Sequence, residues 1–399
     1  MSTTYAHPRR RSAVSSTAAR PVARRLVVQR LAGGAVGLLA VPLLDACRAL
    51  ARASLADPRA AERASGLDPL VHMMLAHAAL APSGHNAQPW CVRVLGADRL
   101  RIDVDAERRL PAVDPHDREL LLSIGAFLEN LLVAAGALGR DGAYEVLAAR
   151  ATDARLLDVR FSHAAPTGVP LDRITARRTV RRGQLTRAID GADVRTMLRA
   201  AGEGAAFFPR GSAEARFLDE GTVEANSVQA ARDAAQEELA RWIRWSDADG
   251  RRHRDGLTPA SLEMDGLTGW FARHFMHPES VLTPRNRARA VDAAREQVRG
   301  GGGWLVMTSP DARPATLLET GRRFERLLLG VRERMLAVHP MSQLLEEAPF
   351  AGEVGARLAV RTPVQFLLRV GYLARYPDPV SLRRPVHWFV ETPEAVTAP

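Results

Sequence analysis

The sequence predicts an α+β protein in which one architecture occurs twice. Two thirteen-residue segments, LLSIGAFLENLLV from Leu121 and LLETGRRFERLLL from Leu317, align without a gap at a spacing of 196. Apolar residues recur in each at i+3, i+4 and i+7, the spacing of one helix face. Around them helix-like and strand-like stretches are interleaved, and short hairpin connections argue against a purely parallel sheet. The matched positions Gly125/Gly321 place a glycine in the middle of both helices. Glycine there costs about 1 kcal/mol relative to alanine, and close approach of two helices is what repays it.

The elements follow in order. A helix is expected at about 68–80, then the turn APSGHNAQPW (Ala81–Trp90), then a hairpin from Trp90–Leu95 and Leu100–Val104 across Gly96-Ala97-Asp98. The repeat helix and a strand near 156–162 complete the first half, and Pro166 to Pro170 marks a junction. The second half reads as a helix near 191–201, a strand at Ala205–Phe208, long helical stretches at about 222–245 and 284–298, and a strand at Trp304–Thr308. The second repeat helix and a strand at Pro363–Val370 close it. The organisation expected is an export leader at 1–47, a first repeat at 66–165, and a second repeat at 171–399 that carries an insertion at 224–300.

Composition narrows the function. The chain is 46% hydrophobic and 25% charged, as a globular protein is. Its net charge of +10 is concentrated in residues 1–44, where seven arginines stand with no acid. Every basic residue is arginine, and aromatic residues make up only 5%, which leaves few stacking platforms for nucleic acid. No nucleic-acid partner is expected. The leader has a basic segment ending at Arg24-Arg25, an apolar run Leu31–Leu44 too short to span a bilayer comfortably, and small residues near Ala46. ARRLVVQ resembles a twin-arginine signal, which implies export machinery as a partner and an envelope location; without a working leader the protein stays in the cytoplasm. Cys47 partly resembles a lipoprotein cleavage box, and Cys91, the only other cysteine, reads as a small buried hydrophobe.

The turn Ala81–Trp90 joins a helix to a strand, and its residues are turn formers. It also aims backbone N–H groups, a hydroxyl and two carboxamides at one place, which suits a flat heterocycle rich in donors and acceptors. Gly300 to Gly303 precedes its strand, so it is not a dinucleotide fingerprint. His274 and His277 have no third metal ligand near them in sequence, and no metal is expected.

Taken together, APSGHNAQPW, GAFLENLLVAAGALG, Arg177-Arg178-Thr179-Val180-Arg181 and Gly371-Tyr372 followed by Arg383-Arg384-Pro385 resemble the nitroreductase family over roughly 66–399. The form most similar is the fused, two-repeat Acg-like subfamily, in which one chain imitates the family's FMN-binding dimer. The resemblance implies an intrachain pseudo-dimer, monomeric or weakly homo-oligomeric, with FMN as cofactor and small-molecule electron donors and acceptors such as quinones or nitroaromatics. It implies that Arg177, Thr179 and Arg181, helped by Arg383 or Arg384, hold the phosphate, and that Pro82, Ser83 and Gly84 face the ring. Asn86 and Gln88 belong to the same cofactor loop and brace it. Met341 and Ser342, in HPMSQ, fall where the family places backbone against the flavin's reactive edge. Each repeat retains one half of this set, so one FMN per chain is expected. The insertion reads either as a lid over the flavin or as an extension of the interface. The function stands as an oxidoreductase or as a protein that holds FMN without turnover.

Overall fold

In the computed structural model the described residues are 50, 62–63, 65–348 and 350–391. The expected leader at 1–47, with Cys47, lies outside them. Asp68 caps the first helix, α1 (Pro69–Ala78), by accepting from the backbone N–H groups of Leu70 and Val71. After the turn, β1 (Trp90–Gly96) and β2 (Arg99–Val104) form the expected hairpin, followed by α2 (Arg118–Ala137), β3 (Arg140–Val146) and β4 (Arg155–His163). A short α3 (Asp172–Ala176) and α4 (Gly191–Ala201) lead to β5 (Ala205–Pro209). Helices α5 (Ala213–Ala231), α6 (Asp233–Trp242), α7 (Asp247–His253), α8 (Gly266–Phe275) and α9 (Pro284–Val298) come before β6 (Gly303–Thr308). Then follow α10 (Pro314–Val331), β7 (Leu336–Pro340), the single turns α11 (Gln343–Glu346) and α12 (Val354–Arg357), β8 (Val364–Tyr372) and β9 (Val390–Glu391).

The two sheets repeat one another. The first runs β3-β4-β2-β1-β9 and the second β7-β8-β6-β5, so the four strands of each half are stacked in the same order. Every pair within those fours is antiparallel. The correspondence locates the insertion: β1 and β2 are separated by a two-residue turn, whereas the equivalent β5 and β6 are separated by 210–302. The expected bounds of 224–300 lie inside that segment. The closing chain leaves the second sheet and adds β9 in parallel to β1 of the first, where the Cys91 thiol donates to Glu391 Oε1 at 3.5 Å. Burial and the neighbouring Glu391 push that thiol up to about 12, so it stays protonated.

The repeat helices α2 and α10 cross at their shared glycines. A Cβ on Gly125 would overlap the Leu318 carbonyl, and one on Gly321 would overlap the Leu122 carbonyl. The contact is reciprocal, which is the property of a pseudo-two-fold axis. Phe127 and Leu128 of α2 pack in one continuous core with Leu317 and Leu318 of α10, Trp90 of the first sheet and Phe366 of the second. By length and hydropathy α2 matches a membrane span, but most of it is buried in this core. The matched glutamates are asymmetric in their partners: Glu129 binds Arg322 at 2.9 Å and Arg326 at 2.8 Å, while Glu325 faces Arg177 at 3.4 Å.

Three departures from the sequence reading have physical causes. The helical stretch expected at 222–245 breaks at Arg232, which is extended (φ −77°, ψ 110°). Its guanidinium bonds Glu347 and the Ala112 carbonyl, and those contacts hold the chain out of the helix. Strands β3 and β7 carried no strand signal, and each is an edge strand in its own sheet. Edge strands hold charge, glycine and proline that central strands exclude: β3 reads RDGAYEV and β7 ends in His339-Pro340.

Candidate functional site

A cavity of about 200 Å³ lies where the repeats meet. Pro82, Ser83, Gly84 and His85 contribute from the turn, Thr179 and Arg181 from the arginine cluster, and Ser342 from the segment after β7. Leu122 and Ala126 of α2, Phe324 of α10 and Phe366 of β8 give it apolar walls, and Gln229 of α5 reaches it from the insertion. Residues about ninety positions apart, and others more than two hundred apart, therefore share one small chamber. It adjoins a larger cleft of about 1740 Å³ between the insertion and the second repeat, and Arg181, His339, Pro340 and Gln343 line both.

The turn is strained. His85, Asn86 and Gln88 all have positive φ, at 48°, 53° and 56°, a region costly for residues with a Cβ. Their side chains explain how it is held. Asn86 Nδ2 donates to the carbonyls of Gly256 and Leu382 at 3.0 and 3.1 Å, and its Oδ1 accepts from Arg383 at 2.8 Å. Gln88 Nε2 donates to the Arg254 carbonyl, and its Oε1 accepts from the Arg384 N–H. Both carboxamides thus tie the turn to the insertion and to the closing segment, away from the cavity. Ser83 Oγ accepts from the Gln88 N–H at 2.9 Å while Ser83 lines the chamber.

The arginines divide in the same way. Arg177 is buried, donates to the Leu80 carbonyl at 2.9 Å and faces Glu325. Arg383 donates to Leu80, Ala81 and Asn86, and Arg384 to Asp105 and to the carbonyls of Gln88 and Trp90. These three knit the loop together and do not line the cavity, because the carbonyls of a strained turn need donors. Arg181 remains at the junction of cavity and cleft. Its Nη1 donates to the Ser261 carbonyl at 2.8 Å and its backbone N–H to Glu263. Burial lowers the Arg181 pKa and Glu263 only partly offsets that, so the cation gains from an added anion. Met341 lines the cleft instead of the cavity.

His85, His339 and Gln343 lie inside the two segments singled out in the sequence, which assigned them no role of their own. Burial, with Arg181 nearby, lowers His85 to about 4, and burial likewise puts His339 well below its usual value. His85 Nε2 and Gln343 Oε1 are buried without a hydrogen-bond partner. An unpartnered buried nitrogen costs free energy that a ligand recovers. Because His85 binds its proton less readily folded than unfolded, its contribution to stability is present above about pH 6.5 and is lost as pH falls toward 4. In an NMR titration the His85 ring signals should remain at their neutral positions at pH 5.5. A midpoint near 6.5 would mean that the ring faces water.

No family model matches the chain. It is 27% identical over 293 residues to "Probable NAD(P)H nitroreductase PigM" of Serratia, covering 68% of this chain and 79% of the relative. It is also 27% identical over 326 residues to "Putative NAD(P)H nitroreductase acg" of Mycobacterium tuberculosis, covering 77% and 90%. The chain is nitroreductase-like in sequence. Among solved structures, the FMN-dependent nitroreductase NfnB of Mycobacterium smegmatis matches at 18% identity and a TM-score of 0.32, over 52% of the nitroreductase-like chain and 91% of NfnB.

Proposed function

We propose that this protein is an FMN-dependent oxidoreductase that takes electrons from NAD(P)H and passes them to a small acceptor, a quinone or nitroaromatic, at one site per chain. The observation that carries the reading is the meeting of the Pro82–Gly84 turn, Thr179 with Arg181, and Ser342 around a single chamber to which both repeats contribute. The residues fit a flavin. The chamber is smaller than the 300–1,000 Å³ typical of a whole ligand site, so it takes a fused-ring head, and the rest of the molecule must pass Arg181 into the cleft. There Arg182 and Arg375 line the cleft along with Arg181 and are the guanidinium groups a phosphate would meet, Arg178 being paired with Glu263. Bound FMN would supply the hydride chemistry that no side chain here can perform. The protein's own part is to clamp the ring between turn and apolar walls, neutralise the phosphate, and exclude water beneath the insertion.

Fully loaded protein should contain one flavin per chain. Arg181→Ala should weaken FMN about tenfold to a hundredfold, the worth of a charge-assisted hydrogen bond of roughly 1.5–3 kcal/mol. Ser83→Ala should cost less, because that hydroxyl already serves the Gln88 N–H. Flavin fluorescence titration measures both, and a larger loss at Ser83 would misplace the phosphate. Anaerobic mixing with NADH and NADPH tests turnover directly. A flavin that binds but is reduced by neither would leave a protein that stores FMN. NAD(P)H is the donor for a chain that stays in the cytoplasm; if the leader exports it, the electrons come from a different donor outside the cytoplasm.

A further inference from the structure

Glu119 and Glu346 line the same chamber from opposite repeats, Glu119 at the start of α2 and Glu346 at the end of α11. Their carboxyl groups are within hydrogen-bonding reach of each other. Two carboxylates that close cannot both be ionised in a water-poor site, so one proton must lie between them. The remaining contacts hold the pair still: Arg118 donates to Glu119 Oε1 at 2.7 Å, and Gln229 Nε2 donates to Glu346 Oε2 at 2.7 Å. Glu119 Oε2 is directed at the turn, 3.6 Å from where a Cβ on Gly84 would stand. An independent feature of the chamber also calls for a ligand, the buried and unpartnered Nε2 of His85.

We propose that the Glu119–Glu346 pair is the proton donor of this chamber, offering its one shared proton to a ring carbonyl or ring nitrogen of the molecule bound there. The proposal rests on the reading of the chamber as a flavin and acceptor site. When an acceptor such as a quinone takes a hydride equivalent derived from NAD(P)H, two electrons with one hydrogen, it becomes a monoanion. The O–H bond of the pair then breaks and the new O–H bond forms on the acceptor oxygen, which completes the two-electron, two-proton reduction. The pair is left doubly negative beside Arg118 until water returns a proton. Burial raises both carboxyls, Glu346 the more strongly; Glu119 adds to the rise at Glu346, whereas the hydrogen bond with Glu346 lowers Glu119, so the shared proton is held on the Glu346 side. Arg118 opposes the rise and Asp114 adds to it. Arg181, His85 and His339 line the same chamber, and with both imidazoles held neutral Arg181 carries charge there in addition to Arg118, which sits on the pair itself.

The test uses the full chain labelled at glutamate Cδ. Carbon NMR of the flavin-free protein at pH 7 should show a protonated carboxyl that disappears in both Glu119→Gln and Glu346→Gln, with thermal melts confirming that the variants fold. Adding FMN should shift that signal, and fluorescence reports binding separately. Quinone reduction by the loaded variants should slow on the order of a hundredfold at pH 8, the usual worth of a positioned acid. Absence of the shared protonated carboxyl overturns the proposal. So does a bound flavin that leaves the signal unmoved together with an unchanged quinone rate. Failure of wild type to bind FMN at all is read by fluorescence alone and overturns the cofactor reading, and the proposal with it.

Discussion

Gly321→Ala should destabilise the protein by about 3 kcal/mol, although alanine is the better helix former by about 1 kcal/mol. The added methyl would meet the Leu122 carbonyl of the facing helix. Overpacking of this kind costs typically 1–3 kcal/mol and sometimes more, and a backbone carbonyl in the middle of a buried helix has no rotamer by which to yield. The same helix contains its own control. Gly330 is exposed, and a Cβ there would sit 3.9 Å from the nearest atom, Ala200 Cβ. Gly330→Ala should therefore stabilise by about 0.5–1 kcal/mol. Urea titration of the two variants decides the matter: equal and small effects at both sites would mean that α2 and α10 do not cross at their glycines. Gly125→Ala should behave like Gly321→Ala, since the contact is reciprocal.

Arg177→Ala should cost about 3 kcal/mol of fold stability near pH 8, because removing one partner of a buried pair leaves the other charge uncompensated. Arg177 is 5% exposed and Glu325 fully buried. Burial pushes Glu325 up to about 7, with Arg177 as the largest opposing influence. A carboxyl raised on folding binds its proton more tightly in the folded state, so its contribution is fully present below about pH 4.5 and is lost as pH rises through about 7. Without Arg177 the carboxyl rises further, and the loss extends to higher pH. The deficit of the variant should accordingly grow from pH 6 to pH 8, measured by urea titration at both values. An equal deficit at the two would show that Glu325 is not the group left behind. The contrast with Arg181 is mechanistic: one arginine supports the loop from within, and the other stands at the mouth of the chamber.

Much of this was legible beforehand because it depends on local pattern. The ends of α4 and α9 follow from periodicity and capping, and the hairpin β1–β2 from alternation around Gly96-Ala97-Asp98. The repeat was visible because two helices that pack on each other at a shared glycine must keep the same residues at the same turns. The α+β class comes from those signals alone, whereas the halving of the site between repeats was implied by the resemblance of the turn and the arginine cluster to the nitroreductase family. What lay out of reach were distinctions between chemically identical residues. Arg177 and Arg181 are four apart in one cluster, yet one is spent on Glu325 and the other opens onto two cavities. Asn86 and Gln88 have the donors and acceptors a ligand needs, but carbonyls of the insertion and the closing segment claim them first. Glu119 and Glu346 are 227 residues apart and carry no motif. Only the packing of the two repeats brings their carboxyls together, since burial and a like charge act through space and leave no trace in sequence spacing.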